Sequence, residues 1–548
     1  MAGPRWTQLR RLSQGFFLLL FLALLVLTAL RPLPGSASDI HLRGPVRLFF
    51  EWDPLVALSN ALATHALYRG LLWSLLILIP TLFLGRFFCG WICPLGTLQQ
   101  FLGSRPSQAK RGKQRIESNR YKHWQTIKYV VLLVGLVAAF FHSMLLGWLD
   151  PFSLLVRSVG LSILPAANSA VRAALAPLEH SNSALLARSG AILHDILQFL
   201  FLDFRQPHYA QSFFFGLIFL LLLAASLRVT RFWCRAVCPL GALLGVLSRW
   251  SILGLKKDLA HCNNCNRCEL HCQGGDDPIG SARWRKSECM LCLNCVDACP
   301  EHSLSFRFFP GADRSTQVAG PDLGRRQALT GLAAGVAAVP LLRADTGQGK
   351  SRDPRLIRPP GALEESGFLA RCIRCGECIK VCPNNALHPA LSEAGLEGLW
   401  TPTLVPRIGY CEPSCVLCSE ACPTGAIWQI TPAEKGWVAG TAARQDSLRI
   451  GTAFYDQGRC LPWAMATQCI VCEEWCPVSP KAIYLHEAQV IDAAGNAKTV
   501  RQPRVDPSRC VGCGACEYAC PLQDRPAVYV TNIGESRSPA SQLLLNRT

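Results

Sequence analysis

The sequence predicts an α-helical membrane bundle of four spans, followed by small α+β domains that bind iron-sulfur clusters. Two observations support this prediction. Charge-free apolar runs occupy the first half of the 548-residue chain, and most of its 28 cysteines are gathered in closely spaced quartets after residue 260. The quartets come as adjacent pairs, as they do in small domains that hold two clusters.

Four apolar runs are candidate membrane spans, because each lacks charge and most approach the ~20 residues that cross a bilayer. The alternative is that the runs form buried helices of a soluble protein, but their length favours membrane spans. The runs cover residues 12–30, 70–85, 129–149 and 212–227, of which the second and fourth are short. Residues 153–206 between the last two runs are interpreted as an outside loop with helical patterning.

Basic residues set the expected orientation, since they favour the cytoplasmic side of short loops. They are concentrated before the first span, in the loop after the second, and after the fourth. Both ends of the four-span unit are therefore expected in the cytoplasm of a bacterial inner membrane. The net charge of +18 is explained mostly by this topology, so no nucleic-acid partner is predicted.

The membrane half repeats itself. The segment R-F-F-C-G-W-I-C-P-L-G at residues 86–96 matches R-F-W-C-R-A-V-C-P-L-G at residues 231–241, each at the cytoplasmic exit of a span. A twofold-like arrangement would bring four cysteines together to hold a further metal or redox centre. Other interpretations are a redox-active dithiol, a transient metal site or helix-end packing, and spacing does not choose among them. The cofactor-binding candidates are Cys89, Cys93, Cys234 and Cys238.

Four other polar residues of this half are candidates without an assigned role. Asp53 and Asp150 begin matching Asp-Pro segments, where they would accept protons from a quinol or cap helices, and capping is favoured. His142 lies inside the third apolar run, where an ionisable side chain is a functional candidate, and His65 precedes the second. No catalytic residue is assigned.

The first cysteine pair has the spacing C-x2-C-x2-C-x3-C twice, with Pro300 after the second quartet. This is the spacing of bacterial two-cluster ferredoxins, in which the fourth cysteine of each quartet binds the other cluster. We therefore expect Cys272 to serve the second cluster and Cys299 the first. The eight predicted ligands are Cys262, Cys265, Cys268, Cys272, Cys289, Cys292, Cys295 and Cys299.

Two further pairs follow, with a first gap longer by one residue at Cys411 and an eight-residue gap after Cys460. Structural zinc prefers separated C-x2-C knuckles, and disulfide frameworks occur in small secreted chains, so six 4Fe-4S clusters are the favoured interpretation. The sixteen predicted ligands are Cys372, Cys375, Cys378, Cys382, Cys411, Cys415, Cys418, Cys422, Cys460, Cys469, Cys472, Cys476, Cys510, Cys513, Cys516 and Cys520.

An arginine pair and an apolar run separate the two halves. Arg325 and Arg326 precede a Gly- and Ala-rich run at residues 328–342, which indicates a twin-arginine export signal acting as a fifth, weakly hydrophobic span. An alanine-rich linker is the alternative. The predicted domains are a membrane domain (1–250), a two-cluster ferredoxin (251–310), the linker (311–345), a four-cluster polyferredoxin (346–535) and a flexible tail (536–548).

The motifs resemble those of two families from periplasmic nitrate reductase systems. Residues 1 to about 308 resemble NapH, a four-span quinol dehydrogenase subunit, through both C-x3-C-P-L-G motifs and the bacterial-type 4Fe-4S ferredoxin after them. Residues from about 320 resemble the exported MauM/NapG ferredoxins, through R-P-P-G-A-L at 358–363, R-C-I-R-C-G at 371–376 and the long-gapped third quartet pair. The chain departs from the pattern at Gln273, which follows Cys272 in place of proline.

A fusion of these families implies a membrane-bound electron-transfer protein that oxidises quinol and passes electrons to a periplasmic cytochrome or molybdenum reductase. The first ferredoxin would then be cytoplasmic and the polyferredoxin periplasmic. Two alternatives stay open. One is a reductase for metal or cofactor maturation, and the other is reverse flow from a periplasmic dehydrogenase to quinone.

Overall fold

The computed structural model describes residues 6–28, 42, 47–104, 112–200, 207–258, 260–274, 284–309, 323–344, 353–436, 447–492 and 494–537. The chain divides into two compact units. The first comprises Met1–Val26, Arg47–Val159 and Phe213–Pro340. The second comprises Leu27–Val46, Gly160–Ser212 and Leu341–Thr548. Residues 311–322 and 345 of the predicted linker, and the predicted tail beyond residue 537, lie outside the described residues.

The apolar half folds into helices. The α-helices span Trp6–Leu27, Leu48–Glu51, Pro54–Thr64, Leu75–Leu84, Phe87–Trp91, Pro94–Ser104, Lys113–Asn119, Ile127–Phe140, Pro151–Leu155, Leu164–Glu179, Ala184–Leu200, Ser212–Arg228, Phe232–Ala236 and Pro239–Leu247. Short 3-10 helices lie at Arg69–Ser74, His123–Thr126, Leu145–Trp148 and Ser248–Trp250, and a π-helix at Val156–Ile163.

Among the described residues, three helical stretches are long and apolar enough to cross a membrane, namely Trp6–Leu27, His123–Phe140 and Pro151–Glu179. The last of these lies within the segment expected to be an outside loop. The third predicted run is shorter than expected, because the helix ends at Phe140 and His142 adopts a left-handed backbone conformation with φ 63°. The stretches Arg69–Leu84 and Ser212–Arg228 are shorter apolar helices. The count of four spans stays a prediction.

The first ferredoxin region is a small α+β fold. Strands Leu253–Lys257 and Leu304–Phe308 pair antiparallel, with Leu255 opposite Phe306. Short helices at Arg267–Leu270 and Asn294–Ala298 each carry one cysteine of a quartet. Its core consists of Leu255, Cys268, Trp284 and Leu304.

The predicted apolar run between the halves is a 20-residue helix, Arg325–Ala344. Gly331 and Gly335 lie on the face that packs against the helix Ile127–Phe140. A Cβ atom on Gly335 would lie 2.7 Å from the Cβ of Val137. The two glycines therefore allow a close approach of the kind that small-xxx-small patterns give membrane helices.

The C-terminal region repeats the small α+β pattern. Its helices are Glu365–Arg371, Glu377–Lys380, Leu417–Glu420, Pro432–Lys435, Leu461–Ala464, Val471–Glu474 and Ala515–Ala519. Its antiparallel strand pairs are Leu387–Pro389 with Pro402–Leu404, Thr452–Tyr455 with Val528–Thr531, and Ile483–Ile491 with Ala497–Val505. Each cysteine quartet lies at a short helix and the turns beside it, as expected for cluster-binding loops.

Candidate functional site

Two cavities in the C-terminal region are bounded by the third pair of cysteine quartets. One cavity is lined by three cysteines of one quartet and the last of the other, namely Cys460, Cys469, Cys472 and Cys520. The second is lined by Cys476, Cys510, Cys513 and Cys516. The fourth cysteine of each quartet therefore faces the other cavity, and the eight-residue gap after Cys460 does not keep that residue away from its group.

The second pair of quartets has the same crossed grouping. The thiols of Cys375 and Cys378 have Cys372 and Cys422 among their electrostatic neighbours. The thiol of Cys418 has Cys411, Cys415 and Cys382 as neighbours. Cys382 and Cys422 have thus exchanged partners, although the first gap of the second quartet is one residue longer.

The first pair is crossed as well. The thiol of Cys295 has Cys292, Cys289 and Cys272 as neighbours, and that of Cys268 has Cys299. One ligand of this region, Cys265, is exposed, whereas the sixteen predicted ligands of the C-terminal region are buried or partly buried.

The geometry of the quartets fits polynuclear clusters. Within the described part of the chain, no group of three or more His, Cys, Asp or Glu side chains is arranged to hold a single metal ion. A mononuclear zinc site would need its sulfur atoms within about 2.3 Å of one centre. Four cysteines spaced around a cavity instead match the donor set of a 4Fe-4S cube, which supplies one-electron transfer when bound.

Burial affects the protonation of these ligands. It raises the pKa of the Cys460 thiol to about 12 and that of Cys415 to about 12. The pKa of Cys472 is raised to about 11, again mainly by burial, although the Tyr455 hydroxyl lies 3.2 Å from its sulfur. Since only thiolates bind iron, cluster assembly at these sites must release protons.

The second and third pairs touch each other. The backbone N–H of Cys411 donates to the carbonyl of Cys513 over 2.8 Å. Tyr410, Trp475 and Tyr518 form an aromatic group at the same junction, with ring centroids 5.4–5.9 Å apart. Sequence reasoning missed this junction, because nothing in the spacing of the motifs indicates which quartets adjoin.

The four membrane-half cysteines come together in the first unit. Cys93 has Cys234 and Cys89 as electrostatic neighbours, and Cys238 has Cys234, Cys89 and Cys93. All four side chains are buried. The structure therefore places the two C-x3-C-P motifs beside each other, as the internal repeat predicts.

A buried charged network below these cysteines was also missed by sequence reasoning. Glu288 accepts hydrogen bonds from Lys128 over 2.5 Å and from the Tyr129 hydroxyl over 2.8 Å. Arg86 lies 4.0 Å from the same carboxylate and donates to the carbonyl of Ser287 over 2.7 Å. In the sequence, Arg86 and Lys128 are interpreted as signals of membrane topology. Their burial in the structure shows that they also pair with Glu288.

The structure also places the other four polar candidates, which form two pairs. Asp53 and Asp150 each cap a helix, accepting from the backbone N–H groups of Leu55 and Ser153 respectively. Both carboxyls are buried. The rings of His65 and His142 lie 5.0 Å apart and are exposed.

Segments predicted as outside loops belong to the same compact unit as the polyferredoxin. Asn385 donates to the carbonyl of His208 over 2.6 Å, and the N–H of Ala210 donates to His388 over 3.3 Å. The N–H of Leu42 donates to Glu420 over 3.0 Å. Burial lowers the pKa of His388 to about 4, so its ring is neutral at pH 7 and can accept this bond.

Family models describe the same segments. A 4Fe-4S binding domain model matches residues 66–114 and again 211–257, so the two membrane repeats match one model. A 4Fe-4S dicluster domain matches residues 465–523. Two further 4Fe-4S binding domain models match residues 369–388 and 286–306. The chain is thus an iron-sulfur protein.

Known relatives align with parts of the chain. The ferredoxin-type protein NapG of Escherichia coli is 33% identical over 216 residues, which cover 38% of this chain and 86% of NapG. The methylamine utilization ferredoxin-type protein MauM of Methylorubrum extorquens is 36% identical over 176 residues, covering 31% and 70%. Protein NirI of Paracoccus denitrificans is 26% identical over 250 residues, covering 42% and 29%.

No solved structure matches the chain. The curated relatives support the NapG and MauM half of the predicted fusion, whereas the NapH resemblance has no direct match among them. On the identity with NapG and the share of NapG that is covered, the chain belongs to the ferredoxin-type family of NapG and MauM.

Proposed function

We propose that this protein is a membrane-bound electron relay that oxidises quinol and delivers the electrons to a redox protein outside the bacterial inner membrane. The observation that carries the proposal is the contact between the second and third quartet pairs. Because the N–H of Cys411 donates to the carbonyl of Cys513, the cysteine group that contains Cys411 adjoins the one that contains Cys513, and this contact joins the second quartet pair to the third. Clusters that served only storage or regulation would not need binding sites that adjoin one another.

Six cubes are proposed, each held by three cysteines of one quartet and the last cysteine of its partner. The two cavities lined by the third pair support this assignment, as do the crossed neighbours of the other two pairs. When bound, the cubes supply one-electron transfer, and the protein sets their potentials through burial and hydrogen bonds to sulfur. The side chains that take part in these bonds include Tyr455 at Cys472 and Lys435 at Cys411.

The first ferredoxin is proposed to be cytoplasmic. Its contacts within the first unit are with segments that the basic residues assign to the cytoplasm. The N–H of Thr7 donates to Asp297 over 2.9 Å, and Trp91 donates to the carbonyl of Leu291 over 2.9 Å. Asn119 donates to the carbonyl of Leu270 over 3.1 Å.

The polyferredoxin is proposed to lie in the periplasm. Within the second unit it contacts Leu42 and residues 208–211, which belong to loops predicted outside. The glycine face of Arg325–Ala344 supports a fifth crossing, since a soluble linker would not need Gly331 and Gly335 against a membrane helix. The arginine pair at the start of this helix is the proposed twin-arginine signal.

Quinol loses two electrons and two protons, so the relay must take its electrons singly and the protons must leave through the protein or to solvent. A periplasmic cytochrome or molybdenum reductase is the proposed acceptor. The length of the relay argues against a maturation reductase. Reverse flow from a periplasmic dehydrogenase to quinone uses the same geometry and is a possible outcome of the test below.

Two measurements test the proposal. Topology reporters fused after residues 310 and 545 should report cytoplasm and periplasm respectively, and the second signal should disappear in cells without twin-arginine transport. In membranes, quinol should reduce the iron-sulfur clusters of the wild-type chain. In a Cys415→Ser variant, which lacks one cluster ligand, the clusters that follow this position in the relay should stay oxidised. Cytoplasmic reports at both positions would contradict the relay across the membrane, and reduction only by an outside donor would reverse its direction.

A further inference from the structure

The two C-x3-C-P turns form one closed site with a repeated design. Cys89, Cys93, Cys234 and Cys238 are each only 5–6% exposed. The helices Pro94–Ser104 and Pro239–Leu247 begin directly after Cys93 and Cys238. The positive end of each helix therefore faces a cysteine sulfur, a position that favours a bound group of negative charge.

Matching backbone groups face the second sulfur of each motif. The N–H of Gly241 donates to the sulfur of Cys238 over 3.3 Å. Gly96 holds the equivalent position in the first motif, where a Cβ would lie 3.7 Å from the Cβ of Cys93. A side chain at either glycine would collide with neighbouring atoms, because a Cβ on Gly96 would lie 2.9 Å from the carbonyl of Cys89. N–H groups aimed at sulfur are a means by which proteins tune iron-sulfur clusters.

Each repeat also contributes an arginine that lies against the cysteine motif of the other repeat. Arg231, of the second repeat, donates to the carbonyl of Cys89 over 2.6 Å. Arg86, of the first, lies against the second motif, with its Nη2 2.9 Å from the Cβ position of Gly241. Both arginines are fully buried. This exchange links the two motifs into one site.

The charge around the site is unbalanced. Arg10, Arg86, Lys128, Arg231 and Arg235 are each at most 1% exposed. Glu288 offsets part of this charge through Lys128 and Arg86, but the hydrogen bonds of Arg231 in the described structure go to neutral atoms. Buried charge without compensation costs several kcal/mol. A group with net negative charge at the four sulfurs would remove this cost.

Both repeats match a 4Fe-4S binding domain model. We propose that they share one such cluster, held by Cys89, Cys93, Cys234 and Cys238 together, and that Arg86 and Arg231 compensate its negative charge. No three of these sulfurs are placed to hold a single ion, which argues against a mononuclear metal. One cluster per motif is also disfavoured, since each motif supplies two cysteines. This site is independent of the six quartets on which the proposed relay rests.

The site adjoins the first ferredoxin. A Cβ on Gly90, which lies between Cys89 and Cys93, would be 2.2 Å from the carbonyl of Met290, which lies between Cys289 and Cys292. Arg231 also donates to the sulfur of Met290 over 3.3 Å. The polypeptide thus places the membrane cysteines and one cytoplasmic quartet in direct backbone contact, which gives the cytoplasmic ferredoxin a neighbour in the membrane domain.

Iron and sulfide counts on the full-length purified protein test the shared cluster without needing quinol. Cys89→Ser and Cys234→Ser should each remove about one seventh of both iron and sulfide, and the double variant should remove no more than either single variant. Additive losses would indicate a separate centre in each repeat. If the variants keep the wild-type iron content and the remaining thiols of the two motifs react with maleimide, the cysteines are free dithiols and the proposal is overturned.

A second pair of variants keeps the proposal testable if the serine variants fail to fold. Arg231→Gln should lower the midpoint potential of one cluster in an EPR-monitored redox titration, because it removes a positive charge beside an anionic centre. Arg231→Lys should keep most of that potential. If neither variant shifts any signal while iron stays at the wild-type amount, the arginine has no role at a cluster and the assignment fails.

Discussion

The two ferredoxin regions of this chain differ in where their buried charges find partners. In the first ferredoxin, the buried Glu288 is satisfied by Lys128 and Tyr129 of the N-terminal helical region. In the polyferredoxin, the buried Arg358 is satisfied from within, by Glu365 over 2.6 Å and by the carbonyl of Pro402 over 2.8 Å. The comparison teaches that two domains with the same cysteine spacing can differ in autonomy, because only one contains its own counter-charges.

The exposure of the cysteines differs between the two regions as well. Cys265 of the first ferredoxin is exposed, whereas Cys510, Cys513 and Cys516 of the polyferredoxin are buried.

Separating the regions should give the largest effect. Residues 341–537 expressed alone and reconstituted with iron and sulfide should assemble four clusters, since the ion pairs Arg358–Glu365 and Arg343–Glu397 both lie within that segment. Residues 251–309 alone should lose their clusters on desalting, because the partners of Glu288 are missing. Iron content after gel filtration measures both. Stable clusters in the excised first ferredoxin would contradict the comparison.

Glu288→Gln should give the next largest effect. It leaves the fully buried Lys128 without its counter-charge, which is expected to destabilise the first ferredoxin by about 3–5 kcal/mol. Guanidinium titration of the full chain, followed by cluster absorbance, should show an early loss of two clusters. Glu301→Gln, at an exposed position of the same region, is the matched control and should leave the titration unchanged.

Glu365→Gln should destabilise the polyferredoxin by less, about 2–3 kcal/mol, because this side chain keeps some exposure. Arg358 and Arg537 hold the pKa of Glu365 to about 2 against the opposing effect of burial. A depressed carboxyl pKa stabilises the fold above the unfolded value of 4.5, and the contribution is lost as the pH falls towards 2.

The effect of this substitution should therefore be the same at pH 6 and pH 8, measured by guanidinium titration. The exposed neighbour Glu364→Gln serves as the control. A variant effect that vanished at pH 6 would mean that Glu365 is already protonated there, and the ion pair with Arg358 would not be the source of its stabilisation.

His388 should give the smallest effect. Its pKa, lowered by burial to about 4, lies below the unfolded value of 6.5, so the unfolded chain takes up the proton first and stability falls as the pH drops below 6.5. Between pH 7.5 and 5.5 the loss should be about 1 kcal/mol. His388→Gln should flatten the profile, and the exposed His486→Gln should not. Equal slopes for all three chains would exclude His388 as the titrating group.

The cysteine spacing, the apolar runs and the internal repeat were enough to predict an iron-sulfur protein with a helical membrane half, because ligand identity and bilayer length are local properties of a sequence. The likeness of the spacing to that of bacterial two-cluster ferredoxins predicted the exchange of Cys272 and Cys299 between quartets. The third apolar run was predicted too long, since hydropathy does not register the left-handed turn at His142 that ends the helix.

Only the tertiary structure decided which groups meet. The contact between Cys411 and Cys513, the arginine exchange at Gly96 and Gly241, and the dependence of Glu288 on Lys128 join residues far apart in the chain. Sequence patterns report the periodicity of a segment and the chemistry of its side chains. Burial and counter-charge depend on how segments pack, and they determine what those side chains can do.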